Sequence, residues 1–258
     1  MSDLVATAQL TRLAFEPHNP AAVTGVKTRM SDRYELYWRA GERGHPCINA
    51  DLASGTEATR EPADKDFEVL GTNATSALAV YYAEGGIALV TAGASGDSTI
   101  LAPHLDTNQT GWTGITWGTD KQTVWECHIS TAADIAAIVI WAGLKLTNTS
   151  TTATDNDQVF FRFAPGTNSG EWQAIYSIGG TDTAVDTDVV VAASTKYRLK
   201  VAIDADRVAR MWINDALVAT STALTDATDL IPYIGVQASA AAAKTLYVFE
   251  QAISRQIG

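Results

Sequence analysis

The stretch KYRLKVAIDADRVARMWINDALVAT, residues 196–220, decides the fold. In KYRLKVAID the residues Tyr197, Leu199, Val201 and Ile203 fall on one side and Lys196, Arg198 and Lys200 on the other. A period of two with apolar and charged partners is a strand with one buried and one wet face. The next run repeats it, Val208, Met211 and Ile213 standing among Arg207, Arg210 and Asn214, with the intervening DAD a tight turn. Asn214-Asp215 then predicts a second hairpin turn into ALVAT, because Asn and Asp tolerate the left-handed backbone such turns require.

Working upstream from this unit, short strand-like runs follow one another from Phe67 onward: SALAVYY and IALVTA around the hairpin signal AEGG, then STILAP, TVWECHIS, AAIVIWAGLKLT, QVFFRF, EWQAIYSIG and DVVVAA. Downstream come PYIGVQAS and KTLYVFEQAISR. Thr occurs 32 times, and with the repeated Val, Ile, Tyr and Trp it enriches the chain in strand formers. The only helix candidate is the short TALTDATD, residues 222–229. Many short strands with turn chemistry between them predict an all-β protein, an antiparallel two-sheet sandwich or a barrel.

The first 66 residues read differently. EPHNPAAVTG, VKTRMSDRYELYWRAGERGHP and NADLASGTEATREPADKD scatter Pro, Gly and charge without sustained periodicity, which predicts an N-terminal extended arm or small β subdomain at 1–66 beside a main domain at 67–258. Arg29, Arg33, Tyr34, Tyr37, Trp38 and Arg39 cluster within the arm. They make a docking or oligomerisation patch; a solvated strand pair with mixed charges is the plainer alternative.

The 258 residues carry 18 Lys and Arg against 29 Asp and Glu, a net charge of −11. That balance argues against direct nucleic-acid binding, which needs a dense basic face. No run reaches the roughly 18 apolar residues of a membrane helix, and MSDLVATAQLTRLAF lacks the basic-then-apolar build of a signal peptide, so synthesis in a cytosol and no membrane partner are expected. Cys47 and Cys127 are the two cysteines. In a reducing compartment they read as two free, buried thiols rather than one long-range disulfide.

The unit at 196–220 resembles the late strands of concanavalin A-like jelly rolls, the sandwiches shared by legume lectins, laminin-G-like modules and family 16 glycoside hydrolases: a Y-x-L-x-V/I strand, a turn, a strand ending in Asn and a short return strand. Further upstream, GGIALVTAGASGDSTILAPHLDTNQTGWTGITWGTDKQTVWECHI, then WAGLKLTNT and DNDQVFFRF, is similar to jelly-roll structural proteins of tailed bacteriophages. The resemblance covers residues 67–258. It implies an antiparallel two-sheet jelly roll and a non-enzymatic virion protein: a capsid decoration or cement protein, or one of the head fibres or tail. It also implies attachment to the major capsid protein or another virion protein. Fold alone does not license function.

The chemistry expected of the related enzymes is missing. Their E-x-D-x-x-E strand, which sets carboxylates on one face for acid and nucleophile roles, is absent; the Trp-bearing strands offer only Glu126 and Glu171. The histidines His18, His45, His104 and His128 show no zinc spacing, and Cys127 and His128, being adjacent, point to opposite faces of a strand. There is no G-x-S-x-G elbow, Walker A loop or dinucleotide fingerprint. Asp155-Asn156-Asp157 and Asp182, Asp186 and Asp188 have the oxygen chemistry of calcium ligands, but read more simply as exposed Asx turns. No cofactor or metal is expected.

Tryptophans at 112, 117, 125, 141, 172 and 212 have the flat apolar faces that stack on sugar rings. The alternative to the virion role is therefore a lectin-like carbohydrate-binding module with a surface glycan as partner, and the third reading is a divergent glycoside hydrolase. Exposed coplanar Trp residues mark the module, facing carboxylates the enzyme. Self-association, with a trimer favoured, accompanies the virion role.

Overall fold

A computed structural model describes residues 33–39, 52–54, 67–103, 116–147 and 155–256. The strands are β1 (Arg33–Arg39), β2 (Leu52–Ser54), β3 (Phe67–Leu70), β4 (Ala79–Tyr81), β5 (Ile87–Val90), β6 (Ser98–Pro103), β7 (Val124–Thr131) and β8 (Ile138–Lys145). They continue with β9 (Gln158–Phe163), β10 (Glu171–Ile178), β11 (Thr181–Val190), β12 (Lys196–Ile203), β13 (Val208–Ile213), β14 (Ala216–Ala223), β15 (Ile231–Ala238) and β16 (Thr245–Gln256). Helical structure among the described residues is limited to short 3-10 turns.

The predicted hairpins form because their turn residues reach backbone that most residues avoid. Asn214 and Asp215 take φ of 49° and 66° and join β13 to β14, while Gly85 and Gly86 take 91° and 95° and join β4 to β5. Between β12 and β13, Asp204 Oδ1 accepts hydrogen bonds from the backbone N–H groups of Asp206 and Val208, both 2.9 Å, the Asx geometry of a tight turn. The helix candidate at 222–229 is instead the end of β14 and a turn, tied at Asp229 to Gly118 by an isolated bridge. Its Thr and Asp residues bond to the backbone locally, with Thr228 Oγ1 donating to the Asp226 carbonyl, a competition that disfavours helix.

The strands build two sheets. The first runs β14-β13-β12-β7-β16-β5-β4, with β1 also paired to β16; the second runs β11-β10-β9-β8-β15-β6-β3-β2. Every pairing is antiparallel except β2 with β3. Strand β16 is long enough to hold two partners on one edge: Thr245 to Val248 face β5, and Glu250 to Gln256 face β1. The described residues of the 1–66 segment thus add one strand to each sheet.

Inner faces of both sheets interdigitate in one core. Trp125, Ile129 and Leu199 from the first sheet meet Ile140, Phe161, Trp172 and Ile234 from the second. Trp172 sits between Phe163, 6.1 Å between centroids, and Tyr197, 5.5 Å and edge-on. Edge strand β11 is largely exposed and carries Asp182, Asp186 and Asp188, charges that keep an open strand from pairing with another molecule.

Candidate functional site

Alternation sends half of each central strand's residues away from this core, and on the second sheet that outer side is unusual. Reading across the ladder, Leu70, Ile100, Gly235, Trp141, Arg162, Gln173 and Asp186 form one row. The next row is Tyr233, Gly143, Phe160, Ile175 and Ala184, and a third is Ile231, Lys145, Gln158, Ser177 and Asp182. Leu70, Ile100, Ala102, Trp141, Phe160, Ile175 and Tyr233 are buried together there as a second apolar cluster. Strands apolar on both faces lose the period-two signature, which is why IVIWAGLK and QVFFRF read as continuous apolar runs.

Two glycines make the geometry. A Cβ on Gly235 would stand 2.5 Å from Trp141 Cζ2, so the indole lies against bare backbone; one on Gly143 would stand 2.4 Å from the Phe160 Cα. Trp141 and Tyr233 stack at 6.5 Å, and the Lys145 ammonium lies 4.6 Å from the Tyr233 ring centre. Lys145 is buried and 4.0 Å from Asp155; burial pushes its ammonium below the usual lysine range. Beside it, the Gln158 amide donates to Ser177 Oγ at 2.8 Å, and Ser177 donates to Asp182.

At the other end of the face a cavity of about 240 Å³ opens, lined by Val139, Trp141, Phe160, Arg162, Ala164 and Gln237. Trp141 is 3% exposed and its indole N–H has no hydrogen-bond partner among the described residues; Arg162 Nε is likewise buried and without a partner among them. Arg162 makes no ion pair with any described residue, although the chain carries an excess of carboxylates.

Among the described residues, carboxylates stand only at the margin of this side. Central strands β9, β8, β15 and β6 present none outward. Glu171, Asp186 and Asp188 bring their oxygens within 4.8 Å of one another beside the β11 edge. A hydrogen bond with Asp186 pushes the Glu171 carboxyl up, while the Asn168 amide, 2.6 Å away, holds Asp186 down. Such a split suits acid and base roles in a cleft, but Asp186 and Asp188 are exposed on an edge strand. As a cation site the trio falls short of the roughly six to eight oxygens calcium takes.

The sequence candidates are scattered. Glu126 and Glu171 lie on the outer sides of different sheets and cannot face each other. Asp155 accepts from Thr147, Asp157 from Thr225, and Asp182 belongs to the Gln158 and Ser177 network, so of the expected oxygen groups only Asp186 and Asp188 meet. Arg33, Tyr34, Tyr37, Trp38 and Arg39 lie along β1, opposite Gln256, Arg255, Ala252, Gln251 and Glu250, away from the second sheet; Arg29 lies outside the described residues, as do Trp112, His18, His45 and His104. His128 faces Glu250 at 2.7 Å on the outer side of the first sheet, with Cys127 inward as expected. Trp117, Trp125 and Trp172 are core residues and Trp212 is half-buried under Lys200, so the described tryptophans form no exposed coplanar platform. The sequence does not single out Phe160, Gln237 or Gly235, and for Arg162 its one signal is the lone cation in QVFFRF.

No protein-family model matches the chain, and no curated protein matches it in sequence. Solved structures do match. A protein of unknown function from Shewanella oneidensis MR-1 superposes with a TM-score of 0.57 at 10% identity, covering 92% of each chain. A β-glucanase from Bacillus licheniformis gives 0.54 at 10% identity over 85% of this chain and 97% of its own. The metal-free carbohydrate recognition domain of Emp46p gives 0.52 at 8% identity over 73% and 87%. The fold is an antiparallel two-sheet jelly-roll sandwich of the concanavalin A-like kind.

Proposed function

We propose that the chain is a lectin-like glycan-binding domain that does not hydrolyse its ligand. The observation that carries this is the cavity on the outer side of the second sheet, where the Trp141 and Phe160 rings meet the polar Arg162 and Gln237. A concave site with aromatic walls and a few polar groups is the common build of a small-ligand pocket, and Arg162 and Gln237 offer it hydrogen-bonding groups of the kind that sugar hydroxyls meet. Among the described residues the central strands beneath it present no carboxylate, and Glu171, Asp186 and Asp188 gather at the β11 edge instead, which counts against a paired acid and nucleophile in the cavity. Two neighbours of the same fold are named for saccharides, one a glucanase and one a carbohydrate recognition domain; they support the reading through fold, and the cavity supports it through chemistry.

Nothing among the described residues, and none of these neighbours, speaks for the virion role that the sequence resemblance implies. A glycan array probed with the full chain, followed by reducing-sugar assay on each bound glycan, tests the proposal. Binding that weakens in Gln237→Ala and Arg162→Ala without sugar release is expected. An array with no bound glycan, or release of reducing sugar from a bound one, overturns it.

A further inference from the structure

We infer that the cavity at Trp141 takes an acidic sugar, with the ligand's carboxylate held by Arg162 and the Trp141 indole N–H. This rests on the glycan-binding reading. It is carried by two donors without a partner among the described residues, both on residues that line the cavity: the Trp141 N–H, in a side chain only 3% exposed, and the buried Arg162 Nε. Both groups donate and neither accepts. A ligand atom that satisfies them must be an acceptor, and an ionised carboxylate is acceptor-only. A neutral hydroxyl also accepts, through two lone pairs, but brings no negative charge to set against the guanidinium.

Charge points the same way. With 29 acidic side chains against 18 basic ones, an Arg has ample choice of internal partners, yet Arg162 has none among the described residues. Its neighbours across the ladder are Trp141 and Gln173, and its cavity neighbours are Val139, Phe160, Ala164 and Gln237. The low dielectric of that apolar surround strengthens a charge-assisted pair, and the guanidinium fork matches a planar carboxylate through two parallel hydrogen bonds.

Size selects the carrier. At about 240 Å³ the cavity lies below the roughly 300–1,000 Å³ of pockets that enclose drug-sized ligands, so it takes one sugar unit. A uronic acid has its carboxylate in place of a hydroxymethyl group and needs no more room than the neutral hexose. A sulfate ester adds a tetrahedral group to it.

Titration calorimetry of the full chain tests this with oligomers of galacturonate, glucuronate and mannuronate. Each is run beside its carboxyl-reduced neutral form, together with a sulfated neutral oligomer. At least one uronate is expected to bind about tenfold or more tighter than its neutral form, a gap of about 1.4 kcal/mol. Arg162→Gln, at a partly exposed position, abolishes that preference, Arg162→Lys restores part of it, and Trp141→Phe reduces it. Uronates no tighter than their neutral forms, a sulfated oligomer tighter than every uronate, or a preference that survives in Arg162→Gln each overturn the inference. If neutral oligomers bind and uronates do not, glycan binding stands without it; if no oligomer binds, both fall.

Discussion

Trp141 rests on Gly235: the absent side chain of one strand makes room for the indole of its neighbour, and a Cβ at 235 would lie 2.5 Å and 2.7 Å from two indole carbons. Ile100 Cγ1, 2.9 Å from the same point, closes the other side. Gly235→Ala therefore has no free direction in which to relax. Overpacking of this kind costs about 1–3 kcal/mol. The expected result is a lower melting temperature, a shifted Trp emission spectrum and loss of ligand binding at the neighbouring cavity. An alanine variant with wild-type stability and spectrum refutes the tight seat for the ring.

The first sheet carries a charged cluster whose pH dependence has a definite sign. His128, 3.6 Å away, and Arg198, which donates to both Glu126 oxygens at 2.6 and 3.1 Å, hold the Glu126 carboxyl down from 4.5 to about 2. A depressed carboxyl stabilises the fold above its unfolded value and ceases to do so as pH falls through its folded value. The contribution is thus complete above pH 4.5 and disappears toward about 2. Because the Arg198 side chain is 40% exposed, solvent screening reduces it to about 1 kcal/mol or less. Melting curves from pH 7 to 2 are expected to show a steeper acid loss in the wild type than in Glu126→Gln. Parallel curves count against the pair.

Cys127 is fully enclosed in the core between the sheets, and burial pushes its thiol well above the usual range. A thiol held protonated and out of reach does not attack disulfide reagents. In a Cys47→Ser variant, where Cys127 is the remaining cysteine, Ellman's reagent is expected to detect no thiol in the native protein and one after denaturation in guanidinium. Prompt native reactivity contradicts the enclosed position.

The sandwich was readable where one face of a strand is wet. KYRLKVAI shows its pattern because Lys196, Arg198 and Lys200 face solvent-side partners while Tyr197, Leu199 and Val201 enter the core. The Asn214-Asp215 turn was readable because it demands particular residues. The candidate site was not, for the opposite reason. Trp141, Phe160 and Tyr233 sit on strands apolar on both sides, so no alternation marks which aromatics face outward. Their meeting depends on register between strands far apart in sequence, such as Gly235 opposite both Ile100 and Trp141. Trp141 stood in the sugar-stacking set with five other tryptophans, and only the ladder separates it from Trp125 and Trp172, which turn inward.

The last prediction concerns the N-terminal segment. A division at residue 66 expects that a chain starting at Phe67 stays a soluble sandwich and loses only docking or self-association. The ladder gives a different expectation. β1 runs antiparallel along β16 from Arg33 opposite Gln256 to Arg39 opposite Glu250, and β2 lies beside β3 from Leu52 opposite Phe67 to Ser54 opposite Val69. Removing 1–66 leaves the Glu250-to-Gln256 half of β16 with an unpaired edge, since β5 reaches only Thr245 to Val248. An uncovered strand edge pairs readily with another chain. Truncation to 67–258 is therefore expected to lower the melting temperature and promote aggregation at concentrations where the full chain stays monodisperse. Truncation to 33–258, which keeps both strands, is expected to do neither. Comparing the three chains by thermal denaturation and light scattering decides it: equal stability for 67–258 and the full chain shows that β1 contributes nothing to the sandwich, and the segment is then a separate arm.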